Sequence, residues 1–270
     1  MSLQNNDYQQ QFDYLRDRYN LPATQVLVFP CLTSTNTKAW ELLQSNRHQL
    51  PIAVIAIEQT AGKGQWGKTW QSTPGGLYMS VVMAVELPLE DSFHLVMATA
   101  VGITELLHQY DLPVEIKWSN DLILAERKLG GIKLETKTQG SKINYAVVGV
   151  GINWHNVTPQ IGISLKEYAE GNSVRISSIE ELSAIATAGI LQGYQTYVNQ
   201  GSKFIHQRYQ KLLNSIGRQV SIKNDSGTTH FGVVAGVTRQ GKLAISLSAP
   251  GASSTVYVSP GEISLGYETF

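Results

Sequence analysis

The sequence predicts an α+β protein in two parts, a larger domain of interleaved strands and helices followed by a small β-barrel. Three observations carry this. Strand-period runs such as Leu77-Tyr-Met-Ser-Val-Val-Met-Ala-Val85 alternate with helix-period segments as far as about residue 215. The capping-box pattern Ser178-Ile-Glu-Glu181 opens a long helix within that region. From Arg218 onward, short β-type runs are separated by turn signals at Asp225-Ser-Gly227, Gln240-Gly241 and Pro250-Gly251. With 270 residues, 42% of them hydrophobic, the chain can bury a sizeable core.

The elements follow in order. Residues 1–20 are rich in Gln, Asn, Asp and Tyr and lack the basic start and apolar core of a signal peptide. Gln25-Val-Leu-Val-Phe-Pro30 reads as the first strand. Ser34-Thr-Asn-Thr37 then opens a helix with Ala39, Trp40 and Leu43 on its apolar stripe; capping alone would explain these hydroxyl and amide residues equally well. Ala53-Val-Ile-Ala-Ile57 is an apolar run, and Leu77, Met79, Val81, Met83 and Val85 form one face of the strand after the next loop. Asp91-Ser92 is expected to cap a helix ending near Tyr110. Strands follow at Glu115–Trp118 and Leu122–Leu124. A turn at Glu126-Arg127 leads to Lys128–Ile132 and a strand through Leu134, and a hairpin at Gln139-Gly140 returns as Tyr145–Asn153. Gly149 and Gly151 share a face of that last strand, leaving room for a ligand on the sheet or for a closely packed helix. Residues 155–175 show no period and suit a mobile loop. The helix from Ser178 reaches about Val198, and a shorter one spans Phe204–Leu213.

Bulk properties exclude several function classes. Lys+Arg and Asp+Glu balance at 21 each, so no global field favours nucleic acid or an acidic membrane. No stretch is long and apolar enough to span a bilayer. The lone cysteine, Cys31, fits a reducing cytoplasm. The six histidines nowhere show metal-ligand spacing, so no protein-held metal is expected.

The densest chemistry lies in Gln59-Thr-Ala-Gly-Lys-Gly-Gln-Trp-Gly-Lys-Thr-Trp70. Its glycines let backbone N–H groups crowd a ligand, and its lysines call for an anionic guest. Gly62-x-x-x-x-Gly67-Lys68-Thr69 also fits the P-loop pattern, which requires a helix starting at Lys68-Thr69. Pro74-Gly75-Gly76 arrives where that helix would be in its second turn, so the stretch is a loop between two strands. A second polar cluster, Lys117-Trp-Ser-Asn-Asp121, sits between apolar flanks.

Together, Ser34-Thr-Asn36, Gly62–Trp70, Lys117–Asp121, Arg127-Lys-Leu-Gly-Gly131, Gly149-Val-Gly-Ile-Asn153 and Gly261-Glu-Ile-Ser-Leu265 resemble the biotin–protein ligases of the monofunctional type, in the family's order. The resemblance implies a mixed sheet flanked by helices, as in class II aminoacyl-tRNA synthetases, with a C-terminal SH3-like barrel. It divides the chain into a polar segment (1–22), a catalytic domain (23–215) and the barrel (216–270). It also implies ATP-dependent formation of biotinyl-5′-AMP, then transfer to a lysine of a biotin carboxyl carrier protein. Magnesium would accompany the phosphates. No nucleic acid or membrane partner is expected, and a homodimer is one arrangement the sequence permits.

Residue by residue, the resemblance gives Ser34, Thr35, Asn36 and Gln59 to biotin, with Gly131, Gly149 and Gly151 lining its site. Lys63, Gly64 and Gln65 match the loop around the biotin carboxylate and phosphate, and Lys68 and Trp70 its nucleotide side. Lys128 matches the lysine at the biotin carboxyl end. Lys117, Asn120 and Asp121 match the motif beside the phosphates, and Asn153 a nucleotide contact. Lys63, Lys117 and Lys128 are the catalytic candidates. The chain departs from the family pattern at Lys63, Gln65 and Lys68, where arginines are usual, and at Ser119, where proline is usual. A lipoate or octanoate ligase or transferase of the same fold, and a non-catalytic nucleotide- or vitamin-binding module, are the competing expectations.

Overall fold

The computed structural model describes residues 5–45, 47–223, 229–249, 252–263 and 265. Two of the expected C-terminal turns, at Asp225–Gly227 and Pro250-Gly251, lie outside the described residues, as does Ser264. In chain order the elements are α1 (Asn5–Tyr19), β1 (Gln25–Leu32), α2 (Thr35–Ser45), β2 (Ile52–Gln59), β3 (Leu77–Pro88), α3 (Ser92–His108), β4 (Glu115–Lys117), β5 (Asp121–Leu124), β6 (Arg127–Gln139), β7 (Lys142–Ile152), α4 (Leu165–Ala169) and α5 (Ile179–Leu212). Four strands close the chain: β8 (Gln219–Lys223), β9 (Thr229–Val237), β10 (Leu243–Ala249) and β11 (Ala252–Val258).

The first seven strands form one mixed sheet in the order β1-β2-β3-β7-β6-β5-β4, with only the β1–β2 pair parallel. Alternation along β3 sorts its two faces as its sequence predicts. Leu77, Met79, Val81, Met83 and Val85 join the main core, while Val82 joins a smaller cluster with Ala39, Ile52, Val54 and Val147 beneath α2. The main core is covered by α1, α3 and α5. α3 and α5 cross so closely that a Cβ at Gly102 would stand 2.0 Å from the Gly189 carbonyl oxygen. α5 breaks at Gly201, whose φ of 79° only glycine adopts readily, where the sequence separates a long helix from a shorter one.

The polar N-terminal segment holds an element its composition conceals. Tyr8, Phe12 and Leu15 recur at helical spacing and are fully or nearly fully buried, so α1 is part of the core. Each such side chain contributes at most about 1.5–3 kcal/mol of burial free energy. The Ser178 side chain accepts from the Glu181 N–H, as its capping pattern predicts. Asp91, by contrast, does not cap α3: its carboxylate accepts from the Tyr197 hydroxyl and lies 3.0 Å from His94 Nδ1. Residues 155–175 contain the short helix α4, capped by Ser164. Arg127 is the first residue of β6 rather than part of a turn, because Ala125 and Glu126 take the positive φ values at the hairpin.

β8–β11 form a four-stranded antiparallel sheet in the order β11-β10-β9-β8; no pairing joins its two edges among the described residues. Trp118 Nε1 donates to the Gly241 carbonyl (2.9 Å), tying the two sheets together beside the polar cluster. No helix of the described residues is long and apolar enough to cross a membrane.

Candidate active site

A cleft of about 650 Å³ opens on the α2 side of the large sheet. β6 and β7 supply its floor: Gly131 pairs with Gly151 and Lys133 with Gly149. The Gly62–Trp70 loop joins β2 to β3 with no helix at Lys68-Thr69, which removes the P-loop alternative. Its shape comes from internal pairing, with the Gly64 N–H donating to the Lys68 carbonyl (2.7 Å) and the Trp70 N–H to the Gly62 carbonyl (2.9 Å). Trp66 sits at φ 56° on the loop's tip, is 63% exposed, and faces Gly261, where a Cβ would meet its ring at 3.0 Å.

Every residue singled out in the sequence for biotin or ATP lines this cleft: Ser34, Thr35, Asn36, Gln59, Lys63, Gly64, Gln65, Lys68, Trp70, Lys117, Asn120, Asp121, Lys128, Gly131, Gly149, Gly151 and Asn153. Distant segments therefore converge because the sheet order places β2, β3, β7, β6 and β5 side by side.

At one end, hydroxyls and amides interlock. The Thr35 N–H and Oγ1 both donate to Gln59 Oε1 (2.8 and 3.2 Å), and Gln59 Nε2 donates to Ser72 Oγ (2.8 Å). Ser80 Oγ donates to Asn36 Oδ1 (2.6 Å) and lies 2.7 Å from Thr35 Oγ1. The side chains of Thr35 and Asn36 are thus committed to the site rather than to capping α2. Asn36 Nδ2 is buried and has no hydrogen-bond partner, a costly state unless a guest supplies an acceptor. The sheet glycines are used by protein side chains. A Cβ at Gly149 would fall 2.3 Å from Asn36 Oδ1, and one at Gly151 2.5 Å from the Trp70 indole.

The other end is cationic. Lys128 Nζ pairs with Asp121 Oδ1 at 2.7 Å and stands 5.3 Å from the centre of the Trp70 ring. Burial pulls the Lys117 ammonium down to about 8, with nearby Lys128 lowering it further and Asp121 opposing the shift. Asn120 Nδ2 donates to the Ile132 carbonyl (2.9 Å), and Asn153 Nδ2 to the Lys128 carbonyl (3.2 Å), so both brace the strands that carry the lysines. Lys63 Nζ donates to Thr37 Oγ1 (3.1 Å), leaning the loop toward α2. Among the described residues, no three acidic, histidine or cysteine side chains cluster as a metal cage.

Two groups carry no motif signal: Lys133, which lines the cleft, and Ser80, which bonds to the lining residues Thr35 and Asn36. Ser80 lies inside an apolar strand, and only strand parity places it opposite the core face. Lys133 extends from the floor of the cleft, while Gly261, Glu262, Ile263 and Leu265 close one side from the C-terminal part. The Gly261–Leu265 motif marks the segment but not where it docks.

Residues 28–153 match the model of the biotin/lipoate A/B protein ligase family. Among curated relatives, the bifunctional ligase/repressor BirA of Escherichia coli (strain K12) is 29% identical over 236 residues, 83% of this chain and 70% of the relative. The bifunctional ligase/repressor BirA of Bacillus subtilis (strain 168) is 26% identical over 224 residues, 79% of this chain and 67% of its own length. The biotin protein ligase of Aquifex aeolicus, solved in complex with biotin and ATP, shares the fold: TM-score 0.67 at 23% identity, over 89% of this chain and 97% of that one.

Proposed function

We propose that the protein is a biotin–protein ligase. The observation that carries this is a single cleft with a neutral hydrogen-bonding end at Thr35, Asn36 and Gln59 and a lysine-rich end at Lys117 and Lys128. Biotin has the matching polarity, a urea at one end and a carboxylate at the other. The orphaned Asn36 Nδ2 suits an acceptor such as the ureido oxygen, and Gln59, Thr35 and Ser34 hold the same ring.

In the first step, a biotin carboxylate oxygen attacks the α-phosphorus of ATP. A P–O bond forms, the bond to the β-phosphate breaks, and pyrophosphate leaves. Two anions meet in this step, so the cations must offset their repulsion and the charge that grows on the equatorial oxygens. Lys128 releases Asp121 for the carboxylate end, Lys117 faces the phosphates, and Lys63 and Lys68 close over them from the loop. Trp70 offers a flat face for the nucleotide, with Asn120 and Asn153 holding the strands beneath. Magnesium suits the phosphates as part of the ATP substrate, since the cleft supplies only Asp121 and Glu262 as carboxylates among the described residues.

In the second step, the neutral amine of a carrier lysine attacks the acyl carbon. AMP leaves and the amine's extra proton passes to solvent. The partner is a biotin carboxyl carrier protein, and the compartment a reducing cytoplasm. In this reading residues 23–215 do the chemistry and 216–270 form an SH3-like barrel, whose Gly261–Leu265 segment shields the mixed anhydride from water.

The test is pyrophosphate exchange into ATP with biotin, lipoate, octanoate or no acid. Exchange with biotin alone is expected; equal exchange with lipoate or without acid would remove the biotin assignment.

A further inference from the structure

The geometry points to Lys133 as a positioning residue that anchors the Gly62–Trp70 loop over the cleft and brings a cation to it from the sheet. The chemistry this serves rests on the ligase reading above. Lys133 lies on β6 outside every motif named in the sequence, yet its Nζ donates to the Gly64 carbonyl at 2.8 Å. The adjacent residue makes a second tie, with Gln65 Nε2 donating to the Ile132 carbonyl at 3.2 Å. These contacts to consecutive residues of one strand fix the middle of a loop that otherwise bonds mainly to itself.

The register explains how a lysine can stand there. Its cross-strand partner on β7 is Gly149, so β7 puts no side chain beside it, and the space over that glycine is taken by Asn36 from α2. Its other neighbour is a loose one: Glu135 Oε1 is 3.9 Å away, while Glu135 Oε2 accepts from Trp40 Nε1 at 2.8 Å. The Lys133 charge is therefore spent on the loop and the cleft more than on an ion pair. The loop itself carries Lys63 and Lys68 as its only cations, with neutral Gln65 between them. Lys133 supplies, from a rigid strand, a charge beside Gln65.

The experiment compares wild type, Lys133→Met and Lys133→Arg. Trypsin cleavage after Lys63 and Lys68 in unliganded protein reports loop closure without any chemistry. Lys133→Met should speed that cleavage about tenfold, as expected for one lost charge-assisted hydrogen bond. Cleavage elsewhere in the chain should be unchanged, and Lys133→Arg should restore protection. In single turnover, Lys133→Met should release biotinyl-5′-AMP about tenfold faster, again with recovery in the Arg variant. Unchanged loop cleavage in Lys133→Met would overturn the assignment. So would faster cleavage throughout the chain, which would mark a general loss of fold. If loop protection changes as stated but wild type shows no biotin-dependent exchange, the anchor stands and the ligase reading falls.

Discussion

Raising the pH through 8 should switch off Lys117 while leaving the fold intact. Burial holds this ammonium near 8 instead of its ordinary 10.5, with Lys128 adding to the depression and Asp121 resisting it. In free enzyme about nine-tenths of Lys117 is charged at pH 7 and about one-tenth at pH 9. If the charged form meets the phosphates, kcat/KM for ATP should fall about tenfold per pH unit above 8, since that ratio reports the free enzyme. Stability moves the other way. The folded value lies below the unfolded one, so between about 8 and 10.5 the unfolded chain binds the extra proton. Lys117 therefore penalises folding fully below 8, and the penalty fades as pH rises to 10.5. Activity lost while the urea midpoint holds or rises is the signature of this group. The assay is biotin-dependent pyrophosphate exchange at subsaturating ATP from pH 6.5 to 9.5, beside urea denaturation. Lys117→Arg, whose guanidinium stays charged, should flatten the alkaline limb. An identical limb in Lys117→Arg would refute the reasoning.

Three further outcomes follow from the same geometry. Lys128→Ala should cut the adenylation rate about a hundredfold at saturating biotin and ATP, the usual cost of one donor to transition-state charge; the urea midpoint should shift little, because Asp121 keeps access to water. Gly149→Ala puts a methyl 2.3 Å from Asn36 Oδ1, so Asn36 must swing off Ser80; KM for biotin should rise roughly tenfold with KM for ATP unchanged. Phe12→Ala empties a fully buried site beneath α1 and should cost about 3–5 kcal/mol of stability by urea denaturation, with KM values unchanged in the protein that remains folded.

Features set by local pattern were legible in the sequence. Alternation along Leu77–Val85 found the core face of β3, Pro74-Gly75-Gly76 ruled out a helix after Lys68-Thr69, and Ser178-x-x-Glu181 found the start of α5. Features that depend on pairing were not. Ser80 and Lys133 matter because of the strands beside them, and register is invisible in a single run of residues. The stripe Tyr8, Phe12, Leu15 was present but masked by surrounding Gln and Asp, so mean polarity outweighed periodicity. Asp91 looked like a cap because its residue type suits one; a local contact with His94 and a long-range one with Tyr197 claimed its carboxylate instead. The glycines at 149 and 151 announced a close approach without saying what approaches, and Asn36 and Trp70 fill those spaces.

The complete reaction is the decisive measurement for a biotin–protein ligase. The protein is incubated with ATP, biotin and a biotin carboxyl carrier domain, and the carrier's mass is measured. One biotinyl group on a single carrier lysine is expected, absent without ATP and absent when lipoate replaces biotin. An unmodified carrier under conditions where an authentic biotin–protein ligase labels it fully, or equal labelling with lipoate, would contradict the ligase reading.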